Sequence, residues 1–241
     1  MSDKSLLALM YDFYNSHTLK GQNDDINYYL HQIEENNAKE ILVVGAGTGR
    51  VAIPVSKHSI VTALDFDKER LVRLKNKEKN INTICVNFLD YNESKKYDLI
   101  IIPYSTIQFD NNKEKLTQFF KKLHEVMNEN TKVIFDVSES FNTKIEKNKE
   151  FLFKDYCNEI NDEVEVFYSS KRFNDYIEFN VEYRICSTNN SVIECEKYYY
   201  YDKNLLLDVI KSNNLEVLKI DDGYGKDDFK HKHLYHCRRM K

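Results

Sequence analysis

From Glu40 to Val137 the chain repeats one pattern, a short run of nearly unbroken apolar residues followed by a longer polar stretch with apolar residues at helical spacing. The runs are EILVV (40–44), SIVTALD (59–65), NTICV (82–86), YDLIIIP (97–103) and TKVIFDV (131–137). A strand with one wet face alternates polar and apolar residues, whereas a continuously apolar strand is covered on both faces. The covering helices are predicted from about Arg50, from Lys68 to Lys77 and from Lys113 to Met127. This rhythm predicts an α/β fold built on a buried, mostly parallel sheet. Segments 4–14 and 24–36 also carry helical spacing, with Asp24 placed to cap the second, so two helices precede the first strand.

Beyond Val137 the rhythm changes. Segments 163–173, 176–187 and 192–201 alternate polar and apolar residues and are separated by Asn-Asp and Asn-Asn, which predicts an antiparallel meander after the fifth strand. A helix over Asp202–Ser212 and strands at 215–221 and 233–239 then resume the first plan and complete seven core strands.

Composition narrows the function. With 35 basic and 39 acidic residues interspersed and a net charge of −4, no broad cationic field exists to hold a phosphate backbone, so a nucleic-acid partner is not expected. Five scattered cysteines without CxxC spacing fit reduced thiols in a cytoplasmic protein. The apolar stretch in MSDKSLLALMYDFY is too short and interrupted for a signal peptide, and no membrane partner is expected. Period-two spacing on a strand puts His231 and His233 on one face and His236 on the other, and no metal site is expected from them with Asp227 and Asp228.

The segment ILVVGAGTGR puts Gly45, Ala46, Gly47, Thr48 and Gly49 directly after the first buried strand. In a doubly wound sheet, ligands bind beyond the carboxyl ends of the strands at such a turn. Glycines there allow φ > 0 and let a ligand approach backbone N–H groups. A lone glycine turn serves either a ligand or chain reversal alone. Its GxGxG spacing departs from the GxGxxG of pyrophosphate-binding turns. Asp65 ends the second strand twenty residues after Gly45, where a carboxylate either accepts from both hydroxyls of a ribose or caps the next helix, a task that Asp67 fits better.

With VVGAGTGR, LDFD, ICVNFLDY and YDLIIIP in this order, the sequence resembles the class I S-adenosylmethionine-dependent methyltransferases over residues 5 to 240. MYDFY, NDDINYY and the antiparallel insertion are most similar to the small-molecule branch that includes amino-sugar N-methyltransferases. The resemblance implies a Rossmann-like doubly wound, mostly parallel seven-stranded sheet with an antiparallel insertion after the fifth strand. It also implies S-adenosyl-L-methionine as cofactor and a small-molecule substrate methylated on N or O. Residues 1–159 and 202–241 would form the cofactor-binding core with an N-terminal helical lid, and 160–201 a substrate cover or dimer platform.

Residue by residue, the resemblance places Gly45, Ala46 and Gly47 along the methionine portion of the cofactor, Asp65 on the ribose and Phe66 against the adenine. Asn87 and Phe88 fall at the adenine edge, where relatives usually carry an acid in place of Asn87; Asp90 is an alternative contact. Pro103 ends the fourth strand near the reactive methyl, and Tyr11 and Tyr14 resemble tyrosines that close over the methionine end. Amino-sugar relatives carry a His where this chain has Phe109, which leaves Tyr14, Tyr104 or Gln108 to orient the nucleophile. A non-catalytic S-adenosylmethionine-binding or regulatory module is the alternative reading, and a homodimer is among the expected assemblies.

Overall fold

The computed structural model describes residues 2–109, 112–139, 146–225 and 231–241. Helices α1 (Asp3–Thr18) and α2 (Asp24–Asn36) come first, followed by β1 (Glu40–Val44), α3 (Ala52–Ser56), β2 (Ile60–Asp65), α4 (Lys68–Lys77), β3 (Asn82–Cys85), β4 (Leu99–Ile102), α5 (Lys113–Val126) and β5 (Lys132–Ser138). An antiparallel meander follows, made of β6 (Lys147–Cys157), β7 (Asp162–Arg172), β8 (Tyr176–Ile185) and β9 (Ser191–Tyr199). The chain then returns through α6 (Lys203–Ser212), β10 (Leu215–Asp222) and β11 (Lys232–Arg239).

The main sheet has the order β10-β11-β5-β4-β1-β2-β3, and β11 alone runs against its neighbours. Its central strands are buried on both faces, as their unbroken apolar runs require: Ile41, Leu42, Val43, Leu99, Ile100, Ile101 and Ile102 are all inaccessible to solvent. One face packs with α5 and α6 through Leu116, Phe120, Leu206 and Ile210, and the other with α2, α3 and α4 through Tyr29, Val55 and Leu74. Helix α3 is only five residues long, with Pro54 near its start, where a missing N–H costs no helical bond. The α/β plan with seven core strands and an antiparallel insertion after β5 is as the sequence predicts.

The insertion begins earlier than the alternation indicates, because β6 pairs along β7 from Lys147 and makes the second sheet four-stranded. Register shifts between Lys147 and Glu150 and between Phe151 and Phe153 break the two-residue period that a strand needs to be read from sequence. Helix α1 fills the angle between this sheet and α4, burying Leu9, Met10 and Phe13 against Val164, Val166 and Tyr183. The run of tyrosines at 198–201 does not form a wet patch. Tyr201 is buried and donates to the Ile107 carbonyl at 3.2 Å, while Tyr198 donates to Glu196 at 2.9 Å.

Candidate active site

The carboxyl ends of β1, β2, β3 and β4 converge beneath α1 and one face of the second sheet. At the end of β1 the Gly45 and Ala46 amides both donate to the Leu64 carbonyl, at 2.9 and 3.0 Å, which folds the glycine turn onto β2. Gly45 has φ of +72°, and a Cβ there would lie 2.5 Å from Oγ1 of Thr106, so only glycine lets the β1 and β4 turns approach this closely. Over Gly47 the space is open instead: a Cβ would meet nothing nearer than the Tyr11 ring at 3.9 Å.

Asp65 holds this arrangement together. One carboxylate oxygen accepts from the Gly47 amide at 2.7 Å and the other from the Asp67 amide at 2.9 Å. Burial pushes its carboxyl up, against the pull of those two amides and of Arg70. An ionised carboxylate has about four lone-pair sites, so two remain, the number a vicinal diol uses. Asp67, not Asp65, caps α4, by accepting from the Glu69 and Arg70 amides.

Beside Asp65, half-exposed Phe66 lies 6.0 Å from Phe109 at an angle of 22°. The two rings, with Asn87, Phe88 and Leu89, line a cleft of about 200 Å³. A flat heteroaromatic base can stack on an exposed aromatic face of this kind. Asn87 caps the turn Phe88–Asp90 through its Oδ1, 3.0 Å from the Leu89 amide, and Phe88 is buried against Phe119. Asn87 thus spends its acceptor on the backbone, so an adenine amino group has less to meet there than the motif suggests.

The turn after β4 is strained. Tyr104 and Ser105 both have positive φ, +60° and +55°, which side chains with a Cβ rarely adopt. Buried Asp136 of β5 compensates by accepting from both the amide and the hydroxyl of Ser105 and from Lys232 Nζ at 3.0 Å. The Tyr104 hydroxyl accepts from Arg50 Nε at 2.5 Å, and burial raises its pKa. The Pro103 carbonyl accepts from the Thr106 hydroxyl.

Gln108 does not face the cleft. Its amide nitrogen donates to the Tyr199 and Ser138 carbonyls, its oxygen accepts from the Ser138 amide, and the residue is buried. Through these bonds Gln108 fastens β9 to β5. Tyr104 likewise has its hydroxyl engaged, and of the expected trio Tyr14 stands nearest the inner face of the second sheet, beside Phe153 and the carboxylates Glu194 and Glu196.

Helix α1 is clamped over the site. Arg70 lies 4.2 Å from the Tyr11 ring centre, and burial holds the Tyr11 hydroxyl at about 12. Asp12 pairs with Arg73 and Lys77 of α4 at 2.7 Å each, and Arg73 continues to Glu159. Arg70 also donates to Glu194 on β9. Burial, with Glu196 beside it, raises the Glu194 carboxyl to about 7 in spite of that contact. Sequence reasoning missed Arg50, Asp25, Arg70, Asp136 and Glu194. A signal existed for Asp25, which shares the buried stripe of α2 with Tyr29, Gln32 and Ile33. His233 and His236 are taken up by separate partners, Asp222 and Tyr28, and Asp227 and Asp228 lie outside the described residues.

Residues 41–130 match the family model described as a methyltransferase domain. The chain is 24% identical over 118 residues to the "Putative methyltransferase GWCH70_2453" of Geobacillus sp. (strain WCH70). That match takes in 46% of this chain and 47% of that protein, so the chain aligns with about half the length of this curated relative. Among solved structures, an S-adenosylmethionine-dependent methyltransferase from Clostridium acetobutylicum superposes with a TM-score of 0.82 at 16% identity, over 96% of this chain and 98% of that one. A sugar N-methyltransferase from Streptoalloteichus gives 0.80 at 13% identity, over 96% and 93%. An amino pentose methyltransferase from Micromonospora echinaspora, solved with S-adenosylmethionine bound, gives 0.76 at 12% identity, over 96% and 97%. Residues 41–130 are thus similar to a methyltransferase domain, and the chain shares its fold over nearly its whole length with these solved structures.

Proposed function

We propose that the protein is an S-adenosylmethionine-dependent methyltransferase acting on a nitrogen or oxygen nucleophile of a small molecule. The observation that carries the reading is Asp65. It is fixed by the Gly47 amide with two acceptor sites to spare, between an open glycine turn and an aromatic cleft of nucleoside size. The bound cofactor supplies a methyl group on a sulfonium, which a lone pair attacks in line. The chain's own tasks are to align the acceptor, exclude water and take up a proton afterwards. Clamped helix α1 excludes water, and Tyr14, with Glu194 and Glu196 behind it, presents the polar side of the acceptor space. An amine attacks as the free base and loses its proton only after transfer, so His is not required at Phe109.

The reading includes a reducing cytoplasmic location, supported by five free cysteines, and no nucleic-acid partner. It includes self-association through the second sheet, supported by exposed Phe151, Tyr156 and Ile193 and measurable by light scattering. Among the described residues, no helix is long and apolar enough to cross a membrane. Thermal unfolding with S-adenosylhomocysteine against NAD tests the cofactor. At 100-fold over its Kd the former is expected to stabilise by about 2.7 kcal/mol, and stabilisation by NAD alone would refute the reading.

A further inference from the structure

Aromatic rings run in file from the cleft into the second sheet. Phe66 lies 6.0 Å from Phe109, Phe109 5.7 Å from Tyr198, Tyr198 5.8 Å from Phe179 and Phe179 5.8 Å from Tyr168. The file passes from one sheet to the other where Phe109, in the segment after β4, bridges to Tyr198 of β9. Side chains alternate along a strand, and the register sets Tyr168 of β7, Phe179 of β8 and Glu194, Glu196 and Tyr198 of β9 on one face. Helix α1 covers that face, bringing Tyr14 close to Tyr168 and to both carboxylates. Phe109, Tyr168 and Tyr198 are half-buried, so part of each ring remains open to a ligand.

The same face carries an excess of negative charge. Arg70 bonds to Glu194 and lies 3.6 Å from Glu196 and 3.8 Å from Asp67, so one guanidinium is shared among three carboxylates. Burial and the neighbouring Glu196 push the Glu194 carboxyl up to about 7 in spite of it. Glu196 is half-buried and accepts from the Tyr198 hydroxyl at 2.9 Å, which leaves lone pairs for a further donor. Arg172, at the far end of β7, is exposed and lies over the Tyr200 ring at 4.9 Å. A phosphate entering beside Glu196 would meet like charge, whereas a cation would meet a carboxylate and the faces of tyrosine rings together.

We infer that the acceptor is an arylalkylamine, an amine on a flat apolar skeleton without phosphate, its ammonium received by Glu196 and its skeleton laid on the rings of Phe109, Tyr198 and Tyr168. The inference rests on the methyl-transfer reading above and narrows its nucleophile to nitrogen. The ammonium gives its proton to the Glu194–Glu196 pair, and the freed lone pair attacks the methyl carbon. The carbon–sulfur bond breaks with its electrons left on sulfur, which yields the N-methylammonium and S-adenosylhomocysteine.

The test uses the full chain with phenethylamine, phenethyl alcohol, glucosamine and glucosamine 6-phosphate as probes. Calorimetry measures the affinity of each for the chain saturated with S-adenosylhomocysteine, and mass spectrometry measures methyl transfer from S-adenosylmethionine. Phenethylamine is expected to bind, to be N-methylated and to exceed phenethyl alcohol and glucosamine 6-phosphate by more than about tenfold in both measurements. Glucosamine, which shares the charge without the apolar skeleton, is expected to fall below phenethylamine. Glu196→Gln is expected to weaken phenethylamine by about tenfold, the loss expected of one charge-assisted hydrogen bond, and to leave S-adenosylhomocysteine within about twofold. The ranking on the parent decides the matter if that variant does not fold. Preference for either sugar or for the alcohol overturns the inference, as does unchanged phenethylamine affinity in a folded Glu196→Gln protein. A chain that binds S-adenosylhomocysteine but none of the probes also overturns it and leaves the cofactor reading standing. If S-adenosylhomocysteine itself does not bind, both fall.

Discussion

Replacing Asp65 separates its two tasks. In Asp65→Ala the Gly47 and Asp67 amides lose acceptors at 2.7 and 2.9 Å inside a buried site. Two unsatisfied buried donors would cost about 2–6 kcal/mol, and since the carboxylate itself is penalised by burial, the net falls near the lower end, about 2–3 kcal/mol. For a chain of this length that is on the order of 5–10 °C in Tm. Asp65→Asn keeps one acceptor, so its deficit in Tm should be about half. Binding should not follow the same proportion. A ribose diol needs both remaining acceptor sites of the carboxylate, and both variants should lose S-adenosylhomocysteine affinity by at least about tenfold. Thermal unfolding by fluorescence and titration calorimetry on the same preparations measure the two quantities. A folded Asp65→Ala protein with parental affinity would show that the acid only staples the turn to β2, and the assignment to the ribose would be wrong.

Gly45→Ala should destabilise by about 2–4 kcal/mol, from the positive φ together with the clash on Thr106. Adding Thr106→Ala should recover part of that loss, and full additivity in a denaturant double-mutant cycle would contradict the close approach of the two turns. Because burial raises the Glu194 carboxyl from its ordinary 4.5 to about 7, the folded state binds more protons than the unfolded state between those values. Parental stability should therefore fall as pH rises from about 4.5 to 7, and Glu194→Gln should flatten that slope in urea titrations; equal slopes would contradict the raised carboxyl. Asp12→Ala removes the pairs with Arg73 and Lys77, and amide exchange in α1 should accelerate several-fold while β1 and β4 stay protected. Uniform acceleration throughout would mean that α1 is no separable lid.

What the sequence makes legible is whatever repeats along the chain. Continuous apolar runs identified the core strands because burial on both faces leaves no room for polar residues, and Gly45 and Asp65 were visible because turn and strand-end chemistry is local. Strand β6 was hidden by its register shifts, which cancel the periodicity that a single strand displays. Arg50, Asp136 and Glu194 were hidden for another reason. Each acquires its meaning from a partner distant in sequence: Asp25 for Arg50, Ser105 for Asp136 and Arg70 for Glu194. Gln108 shows the converse dependence. A polar residue beside the fourth strand reads as chemistry until its partners are known to be the backbone of β5 and β9.

The position of β11 bears on how the molecule is made. It follows β10 in the chain yet lies between β5 and β10, so β10 has no neighbour in the sheet until β11 has been synthesised. During translation, β1 to β5 can pair in turn as they emerge. Strand β10 must wait with both edges open, held only by its packing to α6. The nascent protein therefore passes through a stage in which β5 is also an unpaired edge, and a cell short of chaperones should lose this chain to edge-to-edge aggregation at that stage.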